Sequence, residues 1–160
     1  MIFTNARLIF PDEIRDGLEV VVEEGKIAAI RERSLAEGKH EVIDLNGNYV
    51  AAGFIDLHVH GALGRDTMEA SAEAFRSVCD FHASGGTTSL LLTTATAPLE
   101  RIVDVLNAVR DFTQRRARRS RPTSAIAGVH VEGPFISKAK AGAQRAEFIQ
   151  DPSPFAVKQL

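Results

Sequence analysis

Tryptophan is absent from this 160-residue chain, tyrosine and cysteine each occur once, and methionine occurs twice. The single thiol, Cys79, excludes an intrachain disulfide and suits a reducing cytoplasm. An excess of either charge is also missing. Nineteen basic against 21 acidic residues leave a formal charge of −2, with no global pull toward nucleic acid or a membrane surface. No apolar run approaches the ~20 residues that a membrane helix needs. The start, "MIFTNARLIFPDEIRDG", lacks a basic segment followed by a long apolar core, so neither a signal peptide nor a span is expected. Hydrophobic residues make up 44% of the chain, which suits a soluble unit with a real core.

The first 50 residues carry strand signals. "IFTNARLIF", "LEVVVEEGKIAAI" and "HEVIDLNGNYVAAG" are short β-rich runs, broken by turns at Gly25 and Gly47. They predict a small antiparallel sheet with no ligand-like cluster. From Gly53 the rhythm changes. "GFIDLHVHG" (53–61) reads as a strand, and Ser71 opens a helix whose Phe75, Val78, Cys79 and His82 recur at i, i+3, i+4 and i+7, ending at Gly85-Gly86. "TTSLLLTTA" (87–95) is a second strand. Pro98 opens a second helix with a stripe of Leu99, Ile102, Val103, Leu106 and Val109. "SAIAGVHVEGPF" (124–135) is a third strand, and "PSPFAVKQL" begins another helix. The alternation predicts an α/β fold with parallel strands and crossover helices over 53–160, after a separate β unit over 1–52.

Five arginines lie in "RRARRSR", residues 115–121. A solvated helix end is the favoured reading over a patch for nucleic acid or an acidic partner, because no aromatics interleave and the chain is slightly acidic.

Alternate residues of a strand share a face, so strict alternation would point Asp56, His58 and His60 one way and Ile55, Leu57 and Val59 the other. The two histidines end at the C-terminal mouth of the strand, where α/β folds place their sites. On its own, H-x-H leaves open a metal site or a polar pair of core histidines. The third strand adds His130 and Glu132, again alternate and again at the C-terminal end, before Gly133-Pro134. A carboxylate beside two imidazoles is a mixed N/O set suited to a divalent metal that activates water. Glu132 reads as a ligand rather than a surface turn carboxylate, and His130 as a supporting or structural residue. His82 reads as a packing residue, His40 as solvated, and Asp66 as either a site-supporting acid or an ordinary helix-start acid.

These motifs resemble the amidohydrolase superfamily. "HVEGPFISKAKAGAQ" (130–144) narrows the resemblance to N-acetylglucosamine-6-phosphate deacetylases, with "GFIDLHVHG", "GGTT" and "HVEGPF" in the same order. The resemblance implies a small β-sandwich portion followed by the first three βα units of a metal-dependent (β/α)8 barrel. It implies direct metal ligation by Glu132, with His58 and His60 forming a second metal position or its vestige. Asp56 and His130 would stand behind the ligands, and Ala143 and Gln144 would border the sugar. It also implies one or two divalent ions, zinc foremost, with iron, manganese or cobalt as alternatives. The partner would be a small phosphorylated amino sugar, with neither nucleic acid nor membrane, and the full-length enzyme a homodimer. Where the commoner family pattern has histidine, this chain has Gln144, a neutral donor and acceptor that cannot be cationic.

A (β/α)8 barrel typically takes about 250 residues. The resemblance implies that the remaining metal histidines and the general-base aspartate come from later strands, beyond Leu160, and no catalytic base is assigned within these residues. The expected reaction is hydrolysis of the acetamide of N-acetylglucosamine 6-phosphate to glucosamine 6-phosphate and acetate, by a longer enzyme of which this piece alone would be inactive. Two other readings stay open: another amidohydrolase, such as a cyclic amidase or deaminase, and a non-catalytic binding domain.

Overall fold

The computed structural model describes residues 1–33, 40–115 and 122–160. Residues 116–121, which hold most of the arginine run read above as a solvated helix end, lie outside the described residues. The chain divides into two compact units, Met1–Ala52 and Gly53–Leu160.

Among the described residues the first unit has seven short strands: β1 (Ile2–Thr4), β2 (Arg7–Ile9), β3 (Ile14–Arg15), β4 (Leu18–Glu23), β5 (Lys26–Glu32), β6 (Val42–Asp44) and β7 (Tyr49–Val50). They form two sheets, ordered β5-β4-β1-β6 and β3-β2-β7. The expected single antiparallel sheet is corrected to two mixed ones, because β1 pairs parallel with β6 and β2 parallel with β7. The cause is local. The chain changes sheet at Asn5, at Gly17 and at Asn46-Gly47, and each of these residues has a positive φ that redirects the backbone between layers. Asp44 stabilises the last of these corners. Its Oδ1 accepts from the Asn46 N–H at 2.7 Å and from Asn5 Nδ2 at 2.9 Å, holding its carboxyl below the usual range. Between the sheets Leu8 packs with Ala6, Leu18 and Val20, all buried.

The second unit contains β8 (Phe54–Val59), β9 (Gly61–Ala62), β10 (Arg65–Asp66), α1 (Ala72–Ser84), β11 (Thr87–Thr93), α2 (Leu99–Gln114), β12 (Ala125–His130) and α3 (Pro154–Gln159). The strands β12-β11-β8 make a parallel sheet with β11 at its centre. Ser71 caps α1 by accepting from the Ala74 N–H, and Gly85 ends the helix. Both long helices pack on one face of the sheet, where Phe75, Val78, Val105 and Val109 meet Val59, Leu90 and Leu92. The buried line of α2 is Ile102, Val105 and Val109, at i, i+3 and i+7. Leu99, Val103 and Leu106 of the predicted stripe are only half-buried. β9 and β10 form a small antiparallel hairpin within the stretch that follows the histidine strand. Leu63 and Gly64 both take positive φ at its tip, as a two-residue primed turn requires.

Both outer strands bulge at the same height. Leu90 and Leu92 of β11 pair with Asp56 and Val59 of β8, and with Ile126 and Val129 of β12. Two residues of the central strand thus face three on either side, and the alternation of the outer strands is reset. Asp56 and Val59 therefore lie on the helix-covered face, and Asp56 does not share the face of His58 and His60. Ile55 and Leu57 are 67% and 63% exposed, so the expected apolar face under the helices is reduced to Val59.

Candidate metal centre

His58 leaves β8 on the uncovered face, and His60 follows just past the strand end. Glu132 stands two residues beyond the end of β12. The three converge. His58 Nε2 and His60 Nε2 lie 3.0 Å apart, and Glu132 Oε2 lies 3.0 Å from the first and 3.1 Å from the second. They form the one His/Cys/Asp/Glu cluster with metal-holding spacing found among the described residues.

Glu132 is gripped at both backbone and side chain. Its N–H donates to Thr94 Oγ1 at 3.0 Å, and its carbonyl accepts from the same hydroxyl at 3.2 Å. Its Oε1 accepts from Gln144 Nε2 at 2.6 Å. The histidine strand is held by the neighbouring threonine, since the Val59 N–H, between the two histidines, donates to Thr93 Oγ1 at 2.9 Å. Adjacent hydroxyls at the end of the central strand therefore pin the segments that present the three donors. Thr93 and Thr94 are fully buried, and neither was singled out from the sequence. The signal was present in Thr93-Thr94, two hydroxyls directly after the apolar run Leu90-Leu91-Leu92.

The donor set fits a divalent ion. Glu132 Oε2 is buried and has no hydrogen-bond partner, although two imidazole nitrogens lie about it. With both imidazoles presenting their Nε2 lone pairs, these three groups form an electron-pair donor set that a divalent cation among them would satisfy. A tetrahedral ion with bonds of about 2.0–2.2 Å separates its ligands by about 3.3–3.6 Å. The observed 3.0–3.1 Å is within a few tenths of that range.

The other site candidates lie around this cluster. His130 sits edge-on to His58, with ring centroids 4.9 Å apart and planes at 85°, and its buried Nδ1 has no partner. Asp56 turns toward α1, where its Oδ2 is 4.0 Å from Nδ1 of His82, while its Oδ1 accepts the backbone N–H of His58 at 3.1 Å. It thus braces the histidine strand through the backbone. Gln144 reaches Glu132 directly. Ala143 is exposed beside it, in the stretch between the 3-10 turns Lys138–Lys140 and Ala146–Phe148. Asp66 caps the turn Thr67–Glu69 in a reciprocal capping box, the helix-start alternative given for it above.

Residues 49–159 match the model of the Amidohydrolase family. The chain belongs to the amidohydrolase family. Among curated relatives, the N-acetylglucosamine-6-phosphate deacetylase of Lysinibacillus sphaericus is 32% identical over 163 residues, covering 99% of this chain and 40% of its own length. Among solved structures, that of the Pasteurella multocida N-acetylglucosamine-6-phosphate deacetylase aligns with a TM-score of 0.80 at 30% identity, over 98% of this chain and 40% of that one. The Thermotoga maritima deacetylase aligns at 0.78 and 33% identity, over 100% and 39%. This amidohydrolase chain thus spans about two fifths of the relatives it matches. The family is metal-dependent, in keeping with a His-His-Glu group that could hold an ion.

Proposed function

We propose that this chain supplies the opening strands of a metal-dependent deacetylase that hydrolyses N-acetylglucosamine 6-phosphate to glucosamine 6-phosphate and acetate. The observation that carries the reading is the convergence of His58, His60 and Glu132 on one point, at the strand ends where this family keeps its metal chemistry. The likeness to deacetylases along nearly the whole chain supports the substrate class.

In this reading Glu132, His58 and His60 hold one ion, and the complete site holds one or two. Zinc suits two imidazoles and a carboxylate, and iron, manganese or cobalt take the same donors. When bound, the ion supplies Lewis acidity that activates water and polarises the acetyl carbonyl. Glu132 contributes an oxygen already stripped of hydrogen-bond partners, and His130 packs edge-on against His58. Ala143 and Gln144 border the sugar. The general base is an aspartate on a later strand of the complete barrel. A homodimeric full-length enzyme in the cytoplasm completes the proposal.

The test is acetate release from phosphorylated and unphosphorylated N-acetylhexosamines by the full-length enzyme, with and without Glu132→Ala. We expect turnover of the 6-phosphate and a loss of more than about 100-fold in the variant, beyond what losing a partner behind a ligand costs. Turnover of a cyclic amide or of an exocyclic amine instead would replace the deacetylase reading with another amidohydrolase reaction.

A further inference from the structure

We propose that Gln144 is a positioning residue for Glu132, fixing its carboxylate so that Oε2 alone is presented to the histidines. The inference rests on the metal-site reading above and extends it to a side chain outside the His-His-Glu group.

The orientation of the Gln144 amide is forced by chemistry at both ends. Its Oε1 accepts the backbone N–H of Thr96 at 2.8 Å, and that N–H can only donate. Nε2 must then point the other way, where it donates to Glu132 Oε1 at 2.6 Å, and an ionised carboxylate can only accept. Neither bond survives a flip of the amide. The anchor is itself immobile. Thr96 is 3% exposed, and Gly133 lies against it with φ +76°, in a conformation and a space that exclude a Cβ.

The Glu132 backbone is already held by the Thr94 hydroxyl in both directions. The freedom left to this residue is in its side chain, above all rotation of the carboxylate. Gln144 removes that rotation by occupying Oε1. Oε2 is left buried, without a hydrogen-bond partner, and aimed between two imidazole nitrogens. Glu132 is thereby set as a single-oxygen ligand before any ion arrives, which lowers the ordering cost of binding. The amide keeps one N–H and one lone pair, so contact with a sugar is compatible with this role.

The test compares Gln144→Met, which keeps length and volume but has no donor, with Gln144→Leu and Glu132→Ala in the full chain. Zn2+ affinity is read by chelator competition and the site by the visible spectrum of the Co2+ form, with circular dichroism to establish that each variant is folded. Both Gln144 variants should bind Zn2+ about 10–100-fold more weakly, and the Co2+ bands should lose intensity as the released carboxylate raises the coordination number. If Met at 144 prevents folding, the Leu variant carries the comparison. Wild-type affinity and an unchanged Co2+ spectrum in a folded Gln144 variant, with Zn2+ lost from Glu132→Ala, would overturn the positioning role and leave the metal site standing. Undiminished Zn2+ binding by Glu132→Ala would instead overturn the site itself.

Discussion

At the scale of single residues, the His-His-Glu cluster depends on side chains that lie outside it. The Thr94 hydroxyl accepts from and donates to the backbone of one residue, Glu132, and so fixes that residue in two directions. Thr94→Val keeps the shape of the side chain but leaves a backbone N–H without its acceptor. Stability should fall by about 1–3 kcal/mol, measured by denaturant unfolding. Zn2+ affinity should fall with it, because the ligand-bearing turn is released; a full loss of stability with unchanged affinity would mean that Gln144 holds Glu132 unaided. The convergence of Glu132, His58 and His60 was legible in the sequence because alternate residues at neighbouring strand ends share a face and the motifs resemble a known family. Gln144 was read as bordering the substrate, and its grip on Glu132 was not legible. That bond joins residues 12 apart across a turn whose path depends on Gly133 packing against Thr96.

At the scale of elements, pairing with the central strand overrides local alternation. The pattern of "GFIDLHVHG" aligns Asp56 with the histidines, yet Asp56 lies on the opposite face because β8 carries one residue more than β11 across the bulge. A bulge is a property of two strands together, so one strand's pattern cannot reveal it. Helix periodicity was a better guide. Ser71 and Pro98 stand at the N-caps as read, while the buried line of α2 runs through Val105 rather than Val103. That line is testable. Ile102→Ala should cost about 2–5 kcal/mol as a buried truncation, whereas Leu99→Ala, half-buried at the helix start, should cost clearly less. Equal losses in thermal unfolding would mean that the helix packs on the predicted stripe after all. In the first unit, the lowered Asp44 carboxyl makes a pH prediction. Its contribution is present above the ordinary aspartate range and is lost as pH falls through the lowered value, loosening the Asn46 corner. Asp44→Asn should flatten the acid side of the stability profile, and an unchanged profile would remove Asp44 from the account of that corner.

At the scale of the whole molecule, three parallel strands, two helices on one face and a His-His-Glu cluster at the C-terminal ends match the opening part of N-acetylglucosamine-6-phosphate deacetylase structures. The outermost strand leaves Phe54, Ile55 and Leu57 exposed, an apolar surface suited to further packing. Because the three donors come from two strands joined through β11, a bound ion should tie the sheet together. Zn2+ at 1,000 times its dissociation constant should stabilise the fold by about 4 kcal/mol. Diffraction at the zinc edge from zinc-soaked crystals of the chain tests the site most directly. The prediction is one anomalous peak within about 2.2 Å of His58 Nε2, His60 Nε2 and Glu132 Oε2. A map with no peak among those atoms, or with zinc bound only elsewhere, would contradict it.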